Sequence, residues 1–337
     1  MGSVRTSVRS PPCYLRTPRP SPSHPPPRRV LPPTHGHLSC PTPFVSKPPR
    51  LPAEISTMAK TGTATRPRQL GDPTKLGRDF RRRLQSKDIL IGVTATEYLR
   101  PSLVKLYCAA GYDYIFIENE HVIFNGPSIT DFVLCARDNG IPIIAKVGQL
   151  DRAETARMLE MGVTGIQLPR TETREQLLEL YDYVKFAPQG SRAGAPLYGN
   201  VDYIWPANDR TWLKKANDST VIVVHIETKL AYENAEEIIT TPGVNMVYVG
   251  PYDFSISMGQ PGNYDHPDVV GPIRNMLKLC VKHKVAFGTS TSTPKAAAAL
   301  VKRGCRFFHL GEELTFIREA SQEAYDAYRA ACGKKLK

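Results

Sequence analysis

The sequence VIVVHIE at residues 221–227 is an unbroken apolar run that ends on an acid, and VNMVYVGPYD at residues 244–253 repeats the pattern. Continuous apolar runs are typical of parallel strands buried on both faces. In a β/α barrel, the C-terminal ends of such strands carry the chemistry. Glu227 and Asp253 therefore predict a site for a hard divalent cation such as Mg²⁺ or Mn²⁺, with Co²⁺ also compatible.

The pattern of an apolar strand followed by a helix occurs eight times after residue 88. The predicted strands are 89–96, 112–118, 141–147, 164–169, 220–227, 245–250, 285–291 and 306–311. Eight such units over about 245 residues are the expected size of a (β/α)8 TIM barrel of the α/β class. A doubly wound open sheet is the alternative, but GVTATE in the first strand is not a glycine-rich phosphate turn.

The positive charge of the chain is concentrated near its N-terminus. The formal net charge is +12, of which residues 1–57 carry +7 and residues 58–89 carry +6, so the remainder is close to neutral. A nucleic-acid partner would require a basic patch on the barrel itself, and the composition gives no sign of one. We therefore expect a barrel at 89–337, preceded by a basic helical lead-in at 58–88.

Residues 1–57 contain half of the prolines of the chain and a single acid, Glu54. Such a segment is predicted to be disordered. It is interpreted either as a plastid or mitochondrial transit peptide or as a tail ahead of a natural start at Met58, while MGSVRT also fits a myristoylation motif. We expect a cytoplasmic location, or an organellar one if the segment is a transit peptide.

The seven cysteines are scattered and show no CxxC spacing, so a disulfide framework is not expected. No apolar stretch approaches the roughly 20 residues that a membrane-spanning helix needs.

Polar residues also follow the other predicted strands, and they form the rest of the candidate site. They are Glu118, Glu120 and His121 after the second strand, Lys146 in the third, Gln167 and Arg170 at the fourth, and His225 in the fifth. Because side chains alternate along a strand, His225 and Glu227 share a face. Lys146 lies in the apolar context IIAKVG, where an unpaired cation is costly, and this favours a functional role.

Several of these motifs together resemble a known family. The segments GYDYIFIENEH, PQGSRAG, VVHIETKLAYENAEEI and VYVGPYDFSISMG are similar to the metal-dependent pyruvate aldolases of the HpcH/HpaI aldolase and citrate lyase family. The resemblance covers residues 85–320 and implies a barrel of the phosphoenolpyruvate/pyruvate type. It implies cleavage of a 4-hydroxy-2-oxo acid to pyruvate and an aldehyde through a metal-bound enolate.

The resemblance also implies individual roles. Glu227 and Asp253 would bind the metal, and His121 and Glu120 would move protons. Lys146 would stabilise the enolate. Substrate would be bound by Arg192, His225, Gly250 and Pro251. Members of the family assemble into trimers or hexamers through their last helices, so a homo-oligomer is expected.

The sequence departs from the family where its members have arginine in place of Lys146, glutamine in place of His225, and Asp-x-Glu-His where this chain has ENEH. A lysine in place of arginine keeps the charge but loses the planar fork. Three alternatives therefore remain: an oxaloacetate decarboxylase, an aldolase that forms a Schiff base through Lys146, and a non-catalytic binding barrel.

Overall fold

The computed structural model describes residues 72–291 and 293–333. The interpretations of residues 1–57, and of residues 58–71 within the lead-in, lie outside the described residues.

Eight parallel strands close into a barrel in chain order, each hydrogen-bonded to the next and β8 to β1. The strands are β1 (Leu90–Ala95), β2 (Tyr114–Glu118), β3 (Ile143–Lys146), β4 (Gly165–Leu168), β5 (Val221–Ile226), β6 (Met246–Val249), β7 (Ala286–Ser290) and β8 (Phe307–Glu312). All six residues of β5 are buried, as expected for a strand covered on both faces. The predicted (β/α)8 fold is confirmed.

Twelve helices are present in the described residues. They are α1 (Lys75–Leu84), α2 (Pro101–Ala110), α3 (Gly126–Asp138), α4 (Arg152–Met161), α5 (Arg174–Val184), α6 (Asp209–Ser219), α7 (Lys229–Glu233), α8 (Ala235–Ile239), α9 (Pro251–Ser257), α10 (Pro267–His283), α11 (Pro294–Val301) and α12 (Glu313–Ala331). The side chain of Asp151 accepts a hydrogen bond from the Glu154 amide at the start of α4, and Gly162 ends α4 with a φ of 100°.

The helix pattern differs from the sequence prediction in two places. The helix expected after the fifth strand is divided at Asn234 into α7 and α8. The sequence also predicts a long loop at 188–218, rich in glycine, asparagine and aromatic residues, and this stretch instead contains a 3₁₀ turn at Gly199–Val201 and most of α6. Asn208 caps α6 by accepting a hydrogen bond from the Thr211 amide, a local signal that the loop prediction overlooked.

Helix α1 covers the floor of the barrel, which we define as the end where the strands begin. Its Phe80 ring lies 6.0 Å from the rings of both Tyr114 and Phe307, and those two rings stack at 4.1 Å. The floor is therefore closed by an aromatic layer, and the opposite end, the mouth, is the open one.

Helix α12 is almost entirely exposed, although it is long and amphipathic. Glu313 is its only buried residue, while Leu314, Ile317 and Tyr325 are each about half exposed. In the described residues, no helix is both long and apolar enough to cross a membrane.

Candidate active site

A cavity of about 690 Å³ opens at the mouth of the barrel. Eight of the sequence-predicted site residues line it. They are Glu118, His121, Lys146, Gln167, His225, Gly250, Pro251 and Asp253. They meet there because the C-terminal ends of parallel strands converge on one edge of the barrel.

Lys146, the last residue of β3, is buried but paired with two carboxylates. Its Nζ lies 2.5 Å from Glu120 Oε2 and 3.2 Å from Glu118 Oε2. Burial lowers the pKa of Lys146, but the charges of Glu118 and Glu120 outweigh it and the pKa is raised above its ordinary value. The side chain therefore stays a cation at neutral pH.

The loop after β2 is organised by Glu118. Its Oε1 accepts hydrogen bonds from the backbone N–H groups of Glu120 (2.8 Å) and His121 (3.2 Å). The exposed His121 ring has its Nε2 3.5 Å from Glu120 Oε2. Ligand atoms of Glu118, Glu120 and His121 lie within 4.8 Å of one another, as a metal site would require. Lys146 pairs with both carboxylates and offsets one of their two negative charges, so this group is better described as an ion-pair cluster.

Glu227 follows β5 and is only 3% exposed. Its Oε1 accepts a hydrogen bond of 2.7 Å from the backbone N–H of Arg170, which has a φ of 44°. Burial raises the pKa of Glu227 to about 7, although the charge of Lys146 opposes the shift, and Asp253 raises it further through space. A carboxylate in this state would be stabilised by a cation in contact with it.

His225 lies beside Glu227, as the alternation of β5 predicts. Its Nε2 is 3.2 Å from Glu227 Oε2 but is not aligned for a hydrogen bond, and neither ring nitrogen has a hydrogen-bond partner. Burial holds the pKa of His225 well below its ordinary value, so the ring is neutral. Glu227 consequently gains no full positive charge from this neighbour.

Gly250 allows the His225 ring to pack closely against the backbone. A Cβ at this position would lie 2.4 Å from His225 Nε2 and 3.6 Å from Glu227 Oε2, so any larger residue would collide with the imidazole. Pro251 then begins α9, and Asp253, in the first turn of that helix, is exposed toward the cavity. The glycine thus keeps His225 and Glu227 in their places at the end of β5.

The structure does not bring Arg192 to the mouth. The backbone N–H of Arg192 donates to Lys185 O at 2.9 Å, and its guanidinium carbon lies 4.5 Å from the centre of the Phe186 ring. The side chain lines a separate cavity at the floor of the barrel. Arg192 was expected at the edge of the active site, and this expectation is corrected. The segment that contains Arg192 folds back toward the floor of the barrel.

Several residues of the cavity wall had not been singled out in the sequence, and three of them, Thr94, Tyr248 and His309, contact one another. The Tyr248 hydroxyl lies 3.1 Å from His309 Nδ1, and His309 Nε2 contacts the Thr94 hydroxyl. Burial lowers the pKa of His309 to about 4, so the ring is neutral. His309 and Tyr248 lie in short apolar runs, and alternation along those strands is the signal that could have identified them.

Comparison with known proteins identifies the family of this chain. The model of the HpcH/HpaI aldolase/citrate lyase family matches residues 98–320. The chain belongs to the HpcH/HpaI aldolase/citrate lyase family. Membership makes the protein an enzyme, a carbon–carbon lyase, and confirms the resemblance that the motifs indicated.

Two curated relatives are similar over most of their length. A 2-dehydro-3,6-dideoxy-6-sulfogluconate aldolase of Pseudomonas putida is 28% identical over 64% of this chain and 83% of the relative. A hydroxypyruvate/pyruvate aldolase of Cupriavidus necator is 25% identical over 74% of this chain and 92% of the relative. The crystal structure of an HpcH/HpaI aldolase from Desulfitobacterium hafniense superposes with a TM-score of 0.70 and is 24% identical in sequence. The superposition covers 74% of this chain and 95% of the aldolase chain. This last likeness supports the fold alone.

Proposed function

We propose that this lyase is a metal-dependent aldolase that cleaves a 4-hydroxy-2-oxo acid into pyruvate and an aldehyde. The observation that carries the proposal is the state of Glu227. It is a buried carboxylate with a raised pKa, and in the described part of the chain its only ion-pair neighbour within 4 Å is the neutral His225. Asp253 adds a second carboxylate at the wall of the mouth cavity, and its charge acts on Glu227 through space.

Glu227 and Asp253 would hold a divalent cation, since oxygen ligands suit Mg²⁺ or Mn²⁺, with Co²⁺ also compatible. When bound, the cation would act as a Lewis acid on the 2-oxo group of the substrate. The Glu118–Glu120–His121 group is the weaker candidate for this ion because Lys146 already supplies the counter-charge there.

Lys146 is suited to stabilise negative charge on the substrate. Its ammonium lines the cavity and stays protonated, so it can oppose the charge that develops on the 2-oxo oxygen as the carbon–carbon bond breaks. A Schiff-base mechanism needs a neutral amine. The raised pKa of Lys146 therefore favours an electrostatic role over an imine.

His121 would move a proton to or from the aldehyde oxygen. Its ring lies at the edge of the cavity, and Glu120 can orient it from 3.5 Å. His225, Gly250 and Pro251 would border the pyruvate half of the substrate. Arg192 has no part in this mechanism.

Homo-oligomeric assembly, as a trimer or a hexamer, remains a proposal, and a cytoplasmic location remains an expectation. The exposed apolar residues of α12 support assembly because a helix that buries so little surface on its own chain is poorly stabilised. A molar mass of a single chain by light scattering would contradict it.

The experiment is to measure pyruvate release by the full chain from a panel of 4-hydroxy-2-oxo acids and from oxaloacetate. Each assay is run with Mg²⁺ or Mn²⁺, after EDTA, and after the metal is restored. We expect turnover of a hydroxy-oxo acid that EDTA abolishes and metal restores. Turnover that survives EDTA would instead indicate Lys146 and a Schiff base, and activity on oxaloacetate alone would indicate a decarboxylase. No turnover of any of these acids by a folded protein would refute the proposed substrate class.

A matched pair of variants tests the metal assignment. Glu227→Gln should lower kcat/KM on the order of a thousandfold, whereas Glu237→Gln, at an exposed position on α8, should leave it unchanged. Mn²⁺ binding followed by electron paramagnetic resonance supplies a readout apart from activity. Equal Mn²⁺ affinity in both variants would show that Glu227 is not a ligand.

A further inference from the structure

The floor of the barrel has a cavity of its own, about 40 Å³ in volume. It lies between α1, α6 and the segments that lead into β4 and β5, at the opposite end from the mouth. The residues that matter for its chemistry are Arg137, Arg192, Asn200 and Trp212.

Arg192 is a buried cation without a carboxylate partner. Its side chain belongs to a residue only 8% exposed, and its Nε–H has no hydrogen-bond acceptor. The nearby acid Glu160 acts on it through space, and within the described residues no acid forms an ion pair with Arg192. Burial of an unpaired charge is costly, so a counter-charge at this place would stabilise the protein.

Two further polar atoms on the wall of the same cavity are unsatisfied. Among the described residues, Trp212 Nε1 finds no acceptor and Asn200 Oδ1 finds no donor. The Trp212 ring lies 5.2 Å from the Phe186 ring, over which Arg192 is placed, so indole and guanidinium belong to one packed unit. Buried polar groups are normally hydrogen-bonded, and three without partners around one cavity indicate an occupant.

The other charged groups nearby do not fill this role. Arg137 is neutralised by Asp202, with Nη2 2.6 Å from Oδ1. Lys185 donates hydrogen bonds to the backbone oxygens of Asn217 (2.5 Å) and Thr220 (3.1 Å) and brings no negative charge. The positive charge of Arg192 therefore remains unpaired among the described residues, and an anion in the cavity would compensate it.

We propose that the floor cavity binds a small monovalent anion such as chloride, bromide or formate. The anion accepts hydrogen bonds from Arg192 Nε and Trp212 Nε1, and a companion water donates to Asn200 Oδ1. Since a water needs about 10–15 Å³ of such volume, a cavity of about 40 Å³ holds these two bodies and excludes nucleotides and sugar phosphates. The bound anion ties the segment that follows α5 to the floor of the barrel.

The test uses the fluorescence of Trp212 in a Trp205→Phe background, because Trp205 is the only other tryptophan and is exposed. Sodium bromide is titrated at constant ionic strength, balanced by sodium gluconate, whose anion is too large for the cavity. We expect quenching that saturates at millimolar bromide and is reversed by formate. Quenching that rises linearly and is indifferent to formate would be collisional and would overturn the proposal, leaving water as the occupant.

Variants locate the site. Arg192→Gln should abolish the saturable phase, and Arg192→Lys should weaken it about tenfold because the charge remains but the Nε donor is lost. Arg210→Gln, an exposed arginine two residues from Trp212, is the control and should leave the titration unchanged. An Arg192→Gln titration equal to that of the control would refute the assignment. If Arg192→Gln fails to fold, the Arg192→Lys titration and the formate competition decide the question.

Discussion

Lys146 at the mouth and Lys185 at the floor are two lysines of the same barrel, 6% and 4% exposed, whose pKa values shift in opposite directions. Burial lowers both. At the mouth, Glu118 and Glu120 overcome it, whereas at the floor the ammonium donates to two backbone oxygens, the charge of Arg81 adds to the effect of burial, and the pKa of Lys185 falls to about 7. The partners of a buried cation, more than its burial, decide its charge.

This difference in charge implies different roles for the two lysines, Lys146 in catalysis and Lys185 in folding stability. The mouth holds a permanent cation beside an open cavity, which suits a reaction that develops negative charge. The lysine of the floor can lose its charge, so its effect falls on folding. The comparison can be tested by changing each lysine in turn.

The largest effect is expected on catalysis. Lys146→Met should lower kcat/KM for the hydroxy-oxo acid substrate on the order of a thousandfold, about 4 kcal/mol of transition-state stabilisation. Lys185→Met, the matched change at the floor, should leave kcat/KM within about threefold at pH 8, because burying the thioether replaces an amine that is already largely neutral. An equal decrease in kcat/KM in both variants would contradict the proposed difference between the two lysines.

A smaller effect is expected on the dependence of stability on pH. Lys185 has a pKa of about 7 when folded and about 10.5 when unfolded, so between these values the unfolded chain binds more protons and stability rises with pH. From pH 7.5 to 9.5, the free energy of unfolding should gain roughly 2 kcal/mol from this residue. Urea denaturation of the wild type and of Lys185→Met, compared at both pH values, isolates the contribution. If the free energy of unfolding changes by the same amount between the two pH values in both proteins, Lys185 does not make this contribution.

The smallest effect is expected from Lys146→Arg. Arginine keeps the positive charge and can pair with both Glu118 and Glu120, so kcat/KM should change by no more than about tenfold. Steady-state kinetics beside Lys146→Met separate charge from shape. A loss as large as that of the methionine variant would mean that the compact ammonium, and not the charge alone, is required.

The sequence was sufficient for the barrel because its strands are written as continuous apolar runs. All eight predicted strands are present, with ends that move by one or two residues, and β5 is buried over its whole length. The helices were less well predicted, since α9 and the break at Asn234 depend on local turns and not on periodicity.

The candidate site was predictable where a residue lies at or shortly after the C-terminal end of a strand. Lys146 ends β3, His225 lies near the end of β5 and Asp253 lies in the first turn of α9 after β6, and all three line the mouth. Arg192 was wrongly assigned because it lies in a long connection, whose path depends on contacts such as the one with Phe186 that no periodicity reports. The pairing of Lys146 with Glu118 and Glu120 was likewise invisible, since β2 and β3 bring them together only in three dimensions.

The backbone conformation of Arg170 affects the tolerance of this protein to mutation. Arg170 adopts a left-handed conformation, with a φ of 44°, that directs its amide at Glu227. A non-glycine residue in this region costs on the order of 1–3 kcal/mol. Selection for heat resistance would therefore find an easy gain in glycine at position 170, and that gain would loosen the segment that orients the acid. Thermal robustness and accuracy at the mouth are opposed at this single residue.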